Sequence, residues 1–222
     1  MFEKMRERWT KAITPLVHRM EGVDPSTLTW ASLALSLLAF YLLMDAGRNT
    51  EGAVYIIGGV VIVLIAGVLD GLDGALARHQ GTDGPYGDFL DHTIDRIVDV
   101  GILVAIGMNA DFVDNPSSGY IAGLLTLFGS YMGTQAQSVG LGRIYGGFSR
   151  ADRMVLTLVA LIVSAWQAHS GAELFITSSL ADWVLLGNSE LNGMTFALAI
   201  SAWGGVYTFL VRFVKTRNGL IA

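Results

Sequence analysis

Between residues 70 and 95 the chain reads Asp70-Gly71-Leu72-Asp73-Gly74-Ala75-Leu76-Ala77-Arg78, then eight residues, then Gly87-Asp88-Phe89-Leu90-Asp91-His92-Thr93-Ile94-Asp95. On a helix, Asp70 and Asp73 lie three apart and share a face; Asp91 and Asp95, four apart, do the same. The first pair ends one apolar run and the second begins another. The polar loop His79–Tyr86, with Gly81, Gly84 and Pro85, lets the two helices fold back antiparallel. Four carboxylates then converge just inside one membrane face. They repel one another and are costly to bury unpaired beside a low-dielectric core. Hard divalent cations resolve the conflict, and an all-oxygen donor set suits Mg²⁺ or Mn²⁺. With no cysteine and no clustered histidine available, zinc is not expected there. The simpler reading makes these boundary charges paired with Arg78 and Arg96. Four aspartates at matched helical spacing, with glycines where a ligand must approach, weigh against it.

Outward from this hairpin the chain is apolar. Of 222 residues 52 % are hydrophobic and 15 % charged, whereas a soluble domain carries about 25 % charge. The charges gather at the N-terminus, in Asp70–Asp99, around Arg143–Arg153 and at the C-terminus, and between them lie runs of roughly the 20 residues that cross a bilayer. We read an all-α integral membrane bundle: one domain over 1–222, with six transmembrane helices within 28–214. The spans run near Leu28–Asp45, Ala53–Val68, Asp91–Asn109, Tyr120–Val139, Arg153–Ala168 and Met194–Val214. Gly58, Gly59, Gly67 and Gly129 fall inside spans, where small residues let helix backbones approach. Segment Gly171–Asn192 is too short and polar for a span and reads as an outer surface loop.

Residues 1–24 mix basic and apolar side chains near helical spacing, as an amphipathic helix lying in the membrane interface does. Their charge and lack of an apolar core argue against a cleavable signal. Asp24-Pro25-Ser26-Thr27 supplies a helix start. Thirteen of the fourteen Lys and Arg residues fall on one side of this topology and Arg48 alone on the other. The positive-inside rule therefore puts both termini and the aspartates in the cytoplasm. No feature points to nucleic acid.

The acidic segment resembles the signature of the CDP-alcohol phosphotransferase family: Asp-x-x-Asp-Gly-x-x-Ala-Arg, eight residues, Gly-x-x-x-Asp-x-x-x-Asp. It matches at every fixed position, and the likeness extends over the whole chain. One departure is Pro25-Ser26, where many members carry Pro-Asn. The resemblance implies that a phosphatidyl-type group moves from a CDP-linked lipid to a small polar alcohol. It implies two Mg²⁺ or Mn²⁺ ions on Asp70, Asp73 and Asp91, with Asp95 at the same site and acting as general base. Asp70, Asp73, Gly74, Ala77, Arg78 and Gly87 would form the CDP site, with Arg78 on a phosphate. The family also implies a homodimer.

The acceptor side rests on Arg143, Arg150 and Arg153. Arg150 and Arg153 are three apart at the start of the fifth span, and Arg forks bind phosphate oxygens bidentately. The plain alternative is flanking charge of the positive-inside kind. The segment looks like that of members whose acceptor is a phosphorylated polyol, inositol phosphate before glycerol phosphate. Inositol phosphate would call for a basic residue within Tyr131–Gln137, where this chain has Gln135 and Gln137; serine would need no basic cluster. Two other classes fit less well. An intramembrane prenyltransferase needs a second, distant acidic motif, and an ion carrier needs ionisable groups at mid-membrane. His92 is expected in a polar interhelical contact, Asp83 and Asp88 in or beside the loop, and Asp99 in an ion pair.

Overall fold

A computed structural model describes residues 13–142, 144–172 and 183–221. Among them the chain is all-helical, with six long helices: α1 Pro25–Asp45, α2 Thr50–Gln80, α3 Pro85–Gly107, α4 Ser117–Ser138, α5 Arg150–Ser170 and α6 Gly193–Ile221. Four of these, α1, α2, α5 and α6, are long and apolar enough to cross a membrane. Three of the helices begin or end on a clear local signal. Asp24 caps α1 by accepting from the Ser26 amide, with Pro25 behind it. Asn49 caps α2, and Ser149 with Asp152 forms a reciprocal capping box on α5. Gly81, left-handed at φ 67°, closes α2.

The second helix is longer than its apolar stretch. It runs on through Gln80 instead of stopping near Val68, and α3 starts at Pro85 instead of Asp91. The connection is therefore Gly81–Gly84 alone, not His79–Tyr86. Arg78 and His79 in the last turn suit the negative end of the helix dipole, which favours continuing α2 beyond its apolar stretch. Both aspartate pairs thus sit on continuous helix, which fixes their direction.

Helix α1 packs on α2 and α3, α4 on α3 and α6, and α5 on α2 and α6. The interior holds Leu43, Ile56, Leu103, Ile106, Leu161 and Leu198, each under 2 % exposed. The outside is also apolar: Leu37, Val54, Leu64, Val155 and Leu210 are all exposed. A bundle hydrophobic on both faces is built for lipid rather than water. Close crossings use glycine. A Cβ on Gly107 would lie 2.5 Å from the Gly119 Cα, so α3 and α4 meet backbone to backbone.

Residues 13–19 are helical, and Ile13 and Val17 pack with Leu28, Leu72 and Leu76 beneath the end of α2. The rest of the expected interfacial helix, residues 1–12, lies outside the described residues, as do 173–182 of the expected outer loop. The described end of that loop does not lie on the surface throughout. Leu185 and Asn188 are buried, and the Trp203 indole donates to the Val184 carbonyl at 3.1 Å.

Candidate functional site

The last turns of α2 and the first turns of α3 bring the carboxylates of Asp70, Asp73 and Asp91 within 4.8 Å of one another. Asp91, His92 and Asp95 form a second group at the same spacing, so Asp95 joins through Asp91. Asp73 is the most fixed: Thr29 Oγ1 donates to its Oδ2 at 2.5 Å and the Gly74 amide to its Oδ1 at 2.5 Å. Thr29 belongs to a buried polar stripe on α1 with Ser32 and Ser36. That stripe, polar within an apolar span, is the sequence signal that could have found it.

Two cavities meet at this cluster. One, about 920 Å³, is walled by Asp70, Asp73, Gly74, Ala77, Arg78 and Gly87, among others. A Cβ on Gly87 would meet nothing within 4 Å, whereas one on Gly74 would press on the Arg78 guanidinium at 3.3 Å. Arg78 makes no side-chain hydrogen bond or ion pair among the described residues, so its charge is available within the cavity. Ser26, which lies outside the signature at the one departure from the family pattern, lines the same space but donates its hydroxyl to Asp24 at 2.8 Å. The Ser26 hydroxyl and amide together hold the Asp24 carboxyl below its ordinary range.

The second cavity, about 930 Å³, lies between α3, α4, α5 and α6. Four arginines line it: Arg96, Arg150, Arg153 and Arg212. Asp88, Asp95 and Arg150 belong to both cavities. Arg150 lies 2.6 Å from Asp95 Oδ1, 3.1 Å from Asp99 and 3.5 Å from Asp70. The contact to Asp95 is ionic, for no donor is aligned on that buried oxygen. Arg153 is nearly buried and bonds Asp99 at 2.7 Å.

Arg150 and Arg153 thus share one cavity wall, as their spacing suggests, but neither fork is free. Asp99, 2 % exposed, holds both and fulfils its expected ion pairing. Arg143 lies outside the described residues. Among the described residues His92 makes no hydrogen bond or ion pair to another helix; its Nδ1 sits 3.6 Å from Asp91, the residue before it on α3. Asp83 lies in the connection and Asp88 in the first turn of α3.

Arg212 was not singled out by sequence, since it reads as one of several C-terminal charges. On α6 it reaches across Gly133 of α4: a Cβ there would lie 3.2 Å from its guanidinium. The positive charge that Tyr131–Gln137 lacks is delivered to the same wall from another helix.

A family model described as CDP-alcohol phosphatidyltransferase matches residues 23–213. The archaetidylinositol phosphate synthase of Methanothermobacter thermautotrophicus is 36 % identical over 163 residues, 71 % of this chain and 75 % of that protein. The phosphatidylinositol phosphate synthase of Cutibacterium acnes is 27 % identical over 98 % of both chains. In fold, the chain is similar to the Mycobacterium tuberculosis phosphatidylinositol phosphate synthase. Its structure with CDP-DAG bound has a TM-score of 0.68 and 20 % identity, covering 93 % of this chain and 94 % of that one. The same enzyme has been solved in complex with manganese and citrate, at TM-score 0.67 and 21 % identity, covering 92 % of this chain and 88 % of that one.

Proposed function

The chain belongs to the CDP-alcohol phosphatidyltransferase family, and we propose that its acceptor is a phosphorylated polyol, inositol phosphate first and glycerol phosphate second. The observation that carries this reading is the wall shared by two cavities, one acidic and one lined by four arginines, at Asp95 and Arg150. A CDP-linked lipid in the first and a phosphorylated alcohol in the second would meet there. The names of the two curated relatives support inositol phosphate.

Asp70, Asp73 and Asp91, all-oxygen donors within 4.8 Å, fit two hard divalent ions with Asp95 beside them. Mg²⁺ or Mn²⁺ bound there would supply charge neutralisation to the diphosphate and the departing CMP. Gly74, Ala77 and Gly87 leave room for the nucleotide, and Arg78 pairs with its phosphate. Asp95 accepts the proton of the acceptor hydroxyl. The acceptor oxygen then bonds to the phosphorus carrying the lipid, the bond to the bridging oxygen breaks, and CMP leaves. Arg150, Arg153 and Arg212 hold the acceptor's phosphate, and Asp99 keeps the first two in position.

The test is CMP release by purified protein given CDP-diacylglycerol, Mn²⁺ and a panel of acceptors. Inositol phosphate should exceed inositol in kcat/KM by about tenfold or more, roughly 1.4 kcal/mol. Preference for serine or unphosphorylated inositol would overturn the acceptor assignment and leave the arginines as topology charges.

We further propose that all six helices span as one membrane domain, with residues 1–24 at the interface and both termini and the aspartates in the cytoplasm. The Lys and Arg asymmetry supports this. Tags on either terminus should stay unlabelled by an impermeant reagent outside intact cells; labelling of both would reverse the orientation.

A further inference from the structure

His18, Glu21 and His79 stand outside the signature, and 58 residues separate Glu21 from His79. The fold nevertheless joins them where residues 18–23 cross the end of α2. His18 Nδ1 and His79 Nε2 lie 3.2 and 3.0 Å from one oxygen, Glu21 Oε1. The imidazole rings meet edge to face, 4.6 Å between centroids. We propose that this trio binds one transition-metal ion, Zn²⁺ by preference, at a site separate from the aspartates.

Chemistry and geometry agree. Two imidazole nitrogens and one carboxylate oxygen form a borderline donor set, which suits Zn²⁺ and is poor for Mg²⁺. A tetrahedral ion with metal–ligand distances of about 2.0–2.1 Å holds its ligands about 3.3 Å apart. The two separations from Glu21 fall close to that edge, and all three ligand atoms lie within 4.8 Å of one another. All three residues are exposed, so an ion can enter and water can fill the fourth position.

The backbone beneath the site is held. Gln80, next to His79, donates to the Glu21 and Val23 carbonyls, each at 3.0 Å. Ile13 and Val17 of the same helical segment as His18 pack on Leu72 and Leu76 of α2, the helix that carries His79. Such support lowers the ordering cost of binding. Glu21, Gly22, Val23 and Gln80 also line the cavity assigned to the CDP-linked lipid. An ion here therefore ties down one wall of that cavity without touching the reacting atoms.

The test uses the full chain without a histidine tag, in detergent, with millimolar Mg²⁺ to occupy the aspartates. After equilibrium dialysis against micromolar ZnCl₂, the wild type should retain one Zn²⁺ per chain by elemental analysis. His18→Ala and His79→Ala should each weaken retention by about tenfold or more, at least what loss of an outer-shell partner brings. Zn²⁺ should raise the Tm of the wild type and leave that of the doubly substituted chain unmoved, which separates ligand loss from misfolding. Zinc retained undiminished in both histidine variants, or lost only in Asp91→Ala, would put the ion among the aspartates and overturn the proposal. No retention by the wild type would reduce the trio to hydrogen-bonded surface histidines and overturn it equally.

Discussion

Asp91→Ala is expected to lower CMP release by about a thousandfold or more, roughly 4 kcal/mol of transition-state stabilisation. Asp91 is the member common to both carboxylate groups, Asp70 and Asp73 on one side and His92 and Asp95 on the other. Removing it opens both. Its neighbours are tied to the protein in ways it is not: Asp73 by Thr29 and Gly74, Asp70 by Arg150. Asp91 has His92 at 3.6 Å, and its side chain is 40 % exposed. The substitution therefore costs the fold little, and the loss falls on cation binding. Melting curves should match wild type while activity disappears, and excess EDTA on the wild type should reproduce the loss. Full turnover in EDTA, or an Asp91→Ala enzyme within tenfold of wild type, would remove the metal from the reaction.

The reason this site could be read from sequence is that it is local. Asp70, Asp73, Asp91 and Asp95 fall on two helices joined by a four-residue turn, so helical periodicity alone aims them together. The helix ends were less legible, because α2 outruns its apolar stretch: Asp70 through Gln80 are helical by capping and dipole, not by hydropathy. The side chains contributed by distant helices were harder still. Arg212 comes from α6 and Thr29 from α1, and both reach the site through packing between helices distant in sequence. Arg150 and Arg153 share a helical face as their spacing predicts. Periodicity could not say that Asp99, four residues beyond the signature, would hold both. Nor could it bring Glu21 to His79, a contact made where the chain crosses the end of α2.

Asp95→Asn is expected to reduce kcat by about 10²–10⁴-fold, the range a positioned general base contributes, while CDP-lipid affinity changes little. Asp95 is 8 % exposed and stands in the wall between the two cavities, the one aspartate of the signature lining both. Its Oδ1 faces Arg150 at 2.6 Å without an aligned donor, so a lone pair remains for the acceptor's proton. Asparagine keeps the shape and a carbonyl oxygen for Arg150 but cannot take that proton at neutral pH. Because Asp95 also adjoins Asp91, the variant must be tested for a ligand role as well. The Mn²⁺ concentration giving half-maximal activity distinguishes the two. A base leaves that midpoint near wild type while kcat falls. A metal ligand shifts it by about tenfold or more, or roughly 1.4 kcal/mol in ion affinity, and added Mn²⁺ then restores much of the rate. If kcat survives the substitution at every Mn²⁺ concentration, Asp95 carries neither role, and the proton must leave by way of another group on the shared wall, of which Asp88 is the remaining carboxylate.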